Sequence, residues 1–262
     1  MTPAKVLHKM KSACHLAALA FCITMSYALA EQRGSTPPAT TFESGEMQAT
    51  LIELFTSEGC SSCPPAEKWL SELKSNQELW KKIVPVAFHV DYWDGLGWRD
   101  RFAKPEFTSR QQNYAATWGG DSVYTPGFVV NGKEWQRWFG GDAPPTSSAK
   151  VGVLRVSLGT DGKLSASFIA ETKQARGLAL NIALLGNDLE SNVKRGENSG
   201  RKLRHDFVVL DLIKVNMTNE SNRWTGSIAL PTGSGNDKPS AFAAWITENG
   251  IPVQATGGWL QG

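Results

Sequence analysis

The chain has 262 residues, 41% of them hydrophobic and 20% charged, an ordinary globular composition that excludes a disordered or fibrous protein. Its formal net charge of +2 is too small to suggest nucleic acid or another polyanion as a partner. Even that excess sits at the start, where Lys5, Lys9 and Lys11 face no acid, so the remainder is nearly neutral.

Residues 1–30 read as a secretory signal peptide. The three lysines form a basic region, Ala13 to Met25 a short apolar run, and Tyr27-Ala28-Leu29-Ala30 a small-x-small end, which places cleavage after Ala30. The apolar run falls short of the roughly 20 residues that span a bilayer, so a stable membrane anchor is not expected. Cys22 follows the bulky Phe21, which argues against a lipidation site. The expected location is periplasmic or secreted.

Cleavage removes Cys14 and Cys22 and leaves Cys60 and Cys63 as the mature cysteines. An exported pair is expected to meet an oxidising compartment. A disulfide across so short a loop adds little stability, which points to reaction rather than stapling.

Residues 31–47, rich in Ser, Thr, Pro and Gly, read as a flexible leader. Ala49 to Thr56 is a buried strand by its apolar, β-branched run. Beyond the cysteine turn, Ala66, Trp69, Leu70 and Leu73 recur at helical spacing, with Pro64 and Pro65 tolerated in the first turn. Ile83 to Val90 is a second strand, and Phe107, Tyr114 and Trp118 share a face of an inserted helix. Val129 and Val130 lead into a hairpin at Asn131-Gly132, with Lys133 to Phe139 returning beside it. Gly140 to Ser148 reads as a boundary. Past it, six short strand-like runs between Val151 and Thr247 suggest a small sandwich or barrel.

A Cys-x-x-Cys between a buried strand and a helix start carries a mechanism. Free N–H groups and the partial positive charge of the helix end favour a thiolate at Cys60, the expected nucleophile, with Cys63 resolving the mixed disulfide. Tyr124, Thr125 and Pro126, just before the hairpin, are the expected substrate-binding segment. In thioredoxin-like proteins a cis-proline there faces the cysteine pair.

The segments ELFTSEGCSSCPPAE (53–67), FHVDYWDGLGW (88–98), VYTPGFVVNG (123–132) and GENSGRKLRHDFVV (196–209) resemble the secreted bacterial family catalogued as domain of unknown function 1223. That resemblance implies a thioredoxin-like fold and leaves the activity open. The expected architecture is an α/β thioredoxin-like domain with a helical insertion over 48–141, followed by a small all-β, sandwich-like domain over 149–262. Leu54 stands where thioredoxin buries an assisting Asp, so Glu53 and Glu58 are the nearby candidate proton acceptors.

The expected function is an exported thiol–disulfide oxidoreductase acting on protein or small-molecule disulfides together with a redox partner. It would use no cofactor beyond its own disulfide. Two alternatives stay open. Cys60, Cys63 and His89 could ligate Cu(I) or Zn(II), or the chain could be a non-catalytic binding module. Tyr92, Trp93 and Trp98 read as packing for the inserted helix or as the wall of a groove. His205 reads as structural, in the other domain, and the turn with Gly196, Asn198 and Gly200 lacks the context of a phosphate loop.

Overall fold

The structure is a computed structural model describing residues 40–171, 175–230 and 237–260. The expected signal peptide, its cleavage point and residues 31–39 lie outside the described residues. The first half of the chain runs β1 (Thr40–Glu43), β2 (Thr50–Thr56), α1 (Pro64–Glu72), β3 (Ile83–His89), α2 (Pro105–Thr117), β4 (Gly127–Val130) and β5 (Lys133–Glu134). Among the described residues, the elements of the second half are strands: β6 (Gly152–Leu158), β7 (Lys163–Ala170), β8 (Leu178–Gly186), β9 (Leu189–Asn192), β10 (Lys202–His205), β11 (Val208–Asn216), β12 (Thr218–Glu220), β13 (Arg223–Ala229), β14 (Ala241–Glu248) and β15 (Ile251–Trp259).

The expected fold class needs correction. The protein is mostly β, and strands from both halves join one eight-stranded sheet in the order β15-β14-β8-β11-β3-β2-β4-β5. The seam is the parallel pairing of Val208 with Ala87, where Ala87 N–H donates to the Phe207 carbonyl at 2.8 Å. Among the described residues no separate thioredoxin-like α/β domain forms, and Ala39–Gly262 is one compact unit. The reason is physical: alternation along a strand decides which face is buried, but not which distant strand pairs with it.

Two cores follow from that sheet. On β14, Ala241, Ala243 and Trp245 belong to the core shared with β2, β3 and the helices, while Phe242, Ala244 and Ile246 belong to the other. This second core fills the sandwich between the long sheet and a five-stranded sheet ordered β1-β6-β7-β13-β12. Residues 40–43, expected in a leader, form β1 opposite β6 in that sheet. The expected hairpin turns at Asn131 and Gly132, both with positive φ (48° and 80°), as a type I′ turn requires. Its return strand is short and passes into a 3₁₀ turn at Arg137–Gly140.

Candidate functional site

The fully buried β2 ends at Thr56 and delivers Ser57 to Cys63 as a tight turn against α1. Cys60 N–H donates to the Ser57 carbonyl at 3.1 Å and Cys63 N–H to the Cys60 carbonyl at 3.3 Å. Cys63 is the N-cap of α1, and Pro64 and Pro65 fill the first turn, where missing N–H groups cost nothing. Cys60 and Cys63 form a disulfide, and both residues are fully buried. Ser61 and Ser62 between them are exposed, and Ser62 Oγ lies 3.3 Å from Cys60 Sγ.

Gly59 is required by a close approach: a Cβ there would sit 2.9 Å from the Trp93 Cβ. The same Trp93 donates its indole N–H to Thr125 Oγ1 at 2.8 Å, so one side chain links the cysteine turn to the Thr125–Pro126 segment. The Thr125–Pro126 bond is cis. Gln111 on α2 donates to the Tyr124 carbonyl at 2.7 Å, and the half-exposed Tyr124 donates its hydroxyl to Glu134 at 2.7 Å. Burial, then the hydrogen bond and charge of Glu134, push the Tyr124 phenol up to about 12. A cavity of about 310 Å³, lined by Phe55, Ala115, Trp118, Tyr124 and Phe128 among others, opens beside this segment.

The other side of the turn is held by residues from far along the chain. Asn198, fully buried in the β9–β10 loop, donates to the carbonyls of Glu58 and Cys60, both at 2.9 Å. Glu197 accepts the Ser61 N–H at 3.0 Å, and its bonds to Ser61 hold its carboxyl below the ordinary range.

Behind the turn lies a buried group of acids and imidazoles. His205 at the end of β10 places Nδ1 2.5 Å from Glu67 Oε2 on α1, and Thr56 donates to the other Glu67 oxygen at 2.6 Å. His205 Nε2 is 3.3 Å from Glu58 Oε1 without the alignment of a hydrogen bond. Trp98 donates to Glu58 Oε2 at 2.6 Å. His89 at the end of β3 pairs Nδ1 with Asp100 Oδ2 at 2.7 Å, and the Asp100 carboxylate also accepts the N–H groups of Glu58 and Phe102. Burial works to neutralise His205, but the Glu67 charge and the contacts with Glu58 and Glu67 outweigh it and raise its pKa to about 10. Burial likewise opposes ionisation of Asp100, yet the charge and hydrogen bond of His89 and two backbone N–H groups hold its carboxyl low.

Several expectations are thus redistributed. His205 is brought to the back of the cysteine turn, and Asn198 to its carbonyls. His89 groups with Glu67 and His205 rather than with the cysteines, whose sulfurs are joined to each other. Glu53 points away into a buried pair with Arg110 at 2.6 Å, whereas Glu58 joins the group behind the turn. The aromatics of 92–98 do more than pack, since Tyr92, Trp93 and Trp98 hydrogen-bond to Gln111, Thr125 and Glu58.

Residues 51–247 match the family described as "Protein of unknown function (DUF1223)". The chain belongs to the DUF1223 family. Two solved structures are similar to this DUF1223 chain. A protein from Agrobacterium tumefaciens is 24% identical over 83% of this chain and 96% of its own, with a TM-score of 0.58. HBP35 of Porphyromonas gingivalis is 14% identical over 82% of this chain and 76% of its own, with a TM-score of 0.55. At those identities the likeness concerns the fold alone. Among curated proteins none matches the sequence.

Proposed function

We propose that this DUF1223 protein is an exported thiol–disulfide oxidoreductase in which Cys60 and Cys63 are the reacting pair. The observation that carries the reading is the position of the disulfide, at the N-cap of α1 and linked through Gly59 and Trp93 to Thr125–Pro126. A crosslink closing so short a loop contributes little to stability, whereas the helix end lowers the free energy of the thiolate released on reduction.

In the exchange, a substrate thiolate attacks Cys60 Sγ, the Cys60–Cys63 bond breaks, and Cys63 leaves as the thiolate. A second substrate thiol, deprotonated, then displaces Cys60. The substrate is oxidised by two electrons and the protein dithiol carries them to its redox partner. Run backwards, Cys60 attacks a substrate disulfide and Cys63 resolves the mixed species. Because both cysteines are fully buried, attack requires local opening of the exposed Ser61–Ser62 turn. Tyr124, Thr125 and Pro126 would hold the substrate backbone, with the adjoining apolar cavity taking one of its side chains.

The test is equilibration of the mature chain, beginning after Ala30, against glutathione buffers. A potential between about −120 and −270 mV supports the reading, and one below about −300 mV marks a structural disulfide and sinks it. Mass measurement of the protein recovered outside the cytoplasm tests the cleavage point. An uncleaved cytoplasmic chain refutes export.

A further inference from the structure

Five ionisable side chains, Glu58, Glu67, His89, Asp100 and His205, are buried together, and thiol exchange assigns none of them a task. Each imidazole has one nitrogen held by a carboxylate, Asp100 for His89 and Glu67 for His205. The other nitrogen, Nε2 in both rings, is buried and has no hydrogen-bond partner among the described residues, and the same is true of Glu58 Oε1. The two rings lie 5.2 Å apart between centroids, and donor atoms of Glu67, His89 and His205 all fall within 4.8 Å of one another.

That pattern is what a metal site requires. A carboxylate that grips one nitrogen fixes the tautomer and leaves the other nitrogen as a ligand. Donors around a tetrahedral ion at about 2.0–2.1 Å stand roughly 3.3 Å from one another. Glu58 Oε1 is already 3.3 Å from His205 Nε2. None of the three carboxylates accepts a hydrogen bond from Lys or Arg among the described residues; the imidazolium of His205 balances them, and a divalent cation would take the place of its proton. Nitrogen donors beside carboxylates suit a borderline ion better than Mg²⁺ or Ca²⁺.

We propose that His89 and His205, each through Nε2, and Glu58 hold a divalent first-row cation, foremost Zn²⁺, in a buried site behind the cysteine turn, with Asp100 orienting His89 and Glu67 orienting His205. Such a site would be structural, loaded as the chain folds, and separate from the disulfide, since neither sulfur is among its donors.

The mature full-length chain, unfolded with chelator and refolded with one equivalent of Zn²⁺ or Co²⁺, tests this. The expected result is one ion per chain, a raised Tm and the visible absorption of tetrahedral Co²⁺. The double substitution His89→Gln and His205→Asn should abolish these signals. Asp100→Asn, which keeps every donor, should weaken affinity about 10–100-fold and so decides the matter where the double variant fails to fold. Cys60→Ser with Cys63→Ser should keep full metal binding, so failure of the exchange reading leaves this result untouched. Three outcomes overturn the proposal: no stoichiometric ion in the wild type, undiminished binding in a folded His double variant or in Asp100→Asn, or binding lost with the cysteines.

Discussion

The two cores share strands and differ in what they bury. Between the sheets, Phe168, Trp224 and Phe242 make an apolar filling, to which β8 contributes Leu180, Ile182 and Leu184. Toward the helices the same β8 and β14 meet a core whose rim, behind the cysteine turn, buries Glu58, Glu67, His89, Asp100 and His205. The first arrangement is what folding alone favours. The second costs desolvation at every charged group, which the pairings offset only while each partner stays in place. Polar burial on this scale sets the helix-facing core apart from the apolar filling of the sandwich.

The largest expected effect tests that division. Phe168→Ala, on β7 and fully buried, should cost about 3–5 kcal/mol by chemical denaturation. If the sandwich is only support, the disulfide potential of the folded fraction stays within about 30 mV of the wild type. A larger shift would show that the two cores are coupled. Next comes Asn198→Ala, which strips the Glu58 and Cys60 carbonyls of their shared donor. The cost is about 1–3 kcal/mol for leaving buried acceptors unmet. Reduction of Cys60–Cys63 by dithiothreitol should speed up, because the turn loses its clamp. An unchanged rate would mean that Asn198 does not control access.

How far sequence reached differs between the same two regions. The strand Thr50–Thr56, read as Ala49 to Thr56, the helix after Pro64 and the turn at Asn131-Gly132 were legible because each follows from local rules of burial, proline tolerance and positive φ. The pairing of Val208 with Ala87 was not, and with it went the expected division into an α/β domain and a sandwich. Nor was the position of His205 behind the cysteine turn. On β10, Leu203 and His205 alternate inward against exposed Lys202 and Arg204, but an inward histidine reads like any polar residue until its partner Glu67 is brought to it across 138 positions. Acids and imidazoles that meet from four separate segments leave no spacing to detect.

A middle-sized effect belongs to Gly59. Alanine there brings a methyl to 2.9 Å from the Trp93 Cβ, so the turn and the indole must part. Overpacking of this kind costs about 1–3 kcal/mol. The indole N–H bond to Thr125 should weaken with it, read as a change in Trp93 fluorescence in a background lacking neighbouring tryptophans. A variant as stable as wild type with unaltered emission would separate the cysteine turn from the Thr125 segment.

The smallest effect is a pH dependence at the exposed rim of the same turn. Glu197 is held below its ordinary value of 4.5, first by the side-chain hydrogen bond with Ser61 and then by the Ser61 N–H. A depressed carboxyl stabilises the folded form above its unfolded pKa and loses that contribution as pH falls through the folded one. Wild type should therefore exceed Glu197→Gln in Tm slightly at neutral pH, and the gap should close as the pH drops below about 4.5. Because the group is exposed, added salt should narrow the same gap. The sandwich, whose filling includes no buried ionisable side chain among the described residues, gives Phe168→Ala a Tm deficit that stays level across that window. A deficit that tracked pH in both variants would erase the contrast between the two cores.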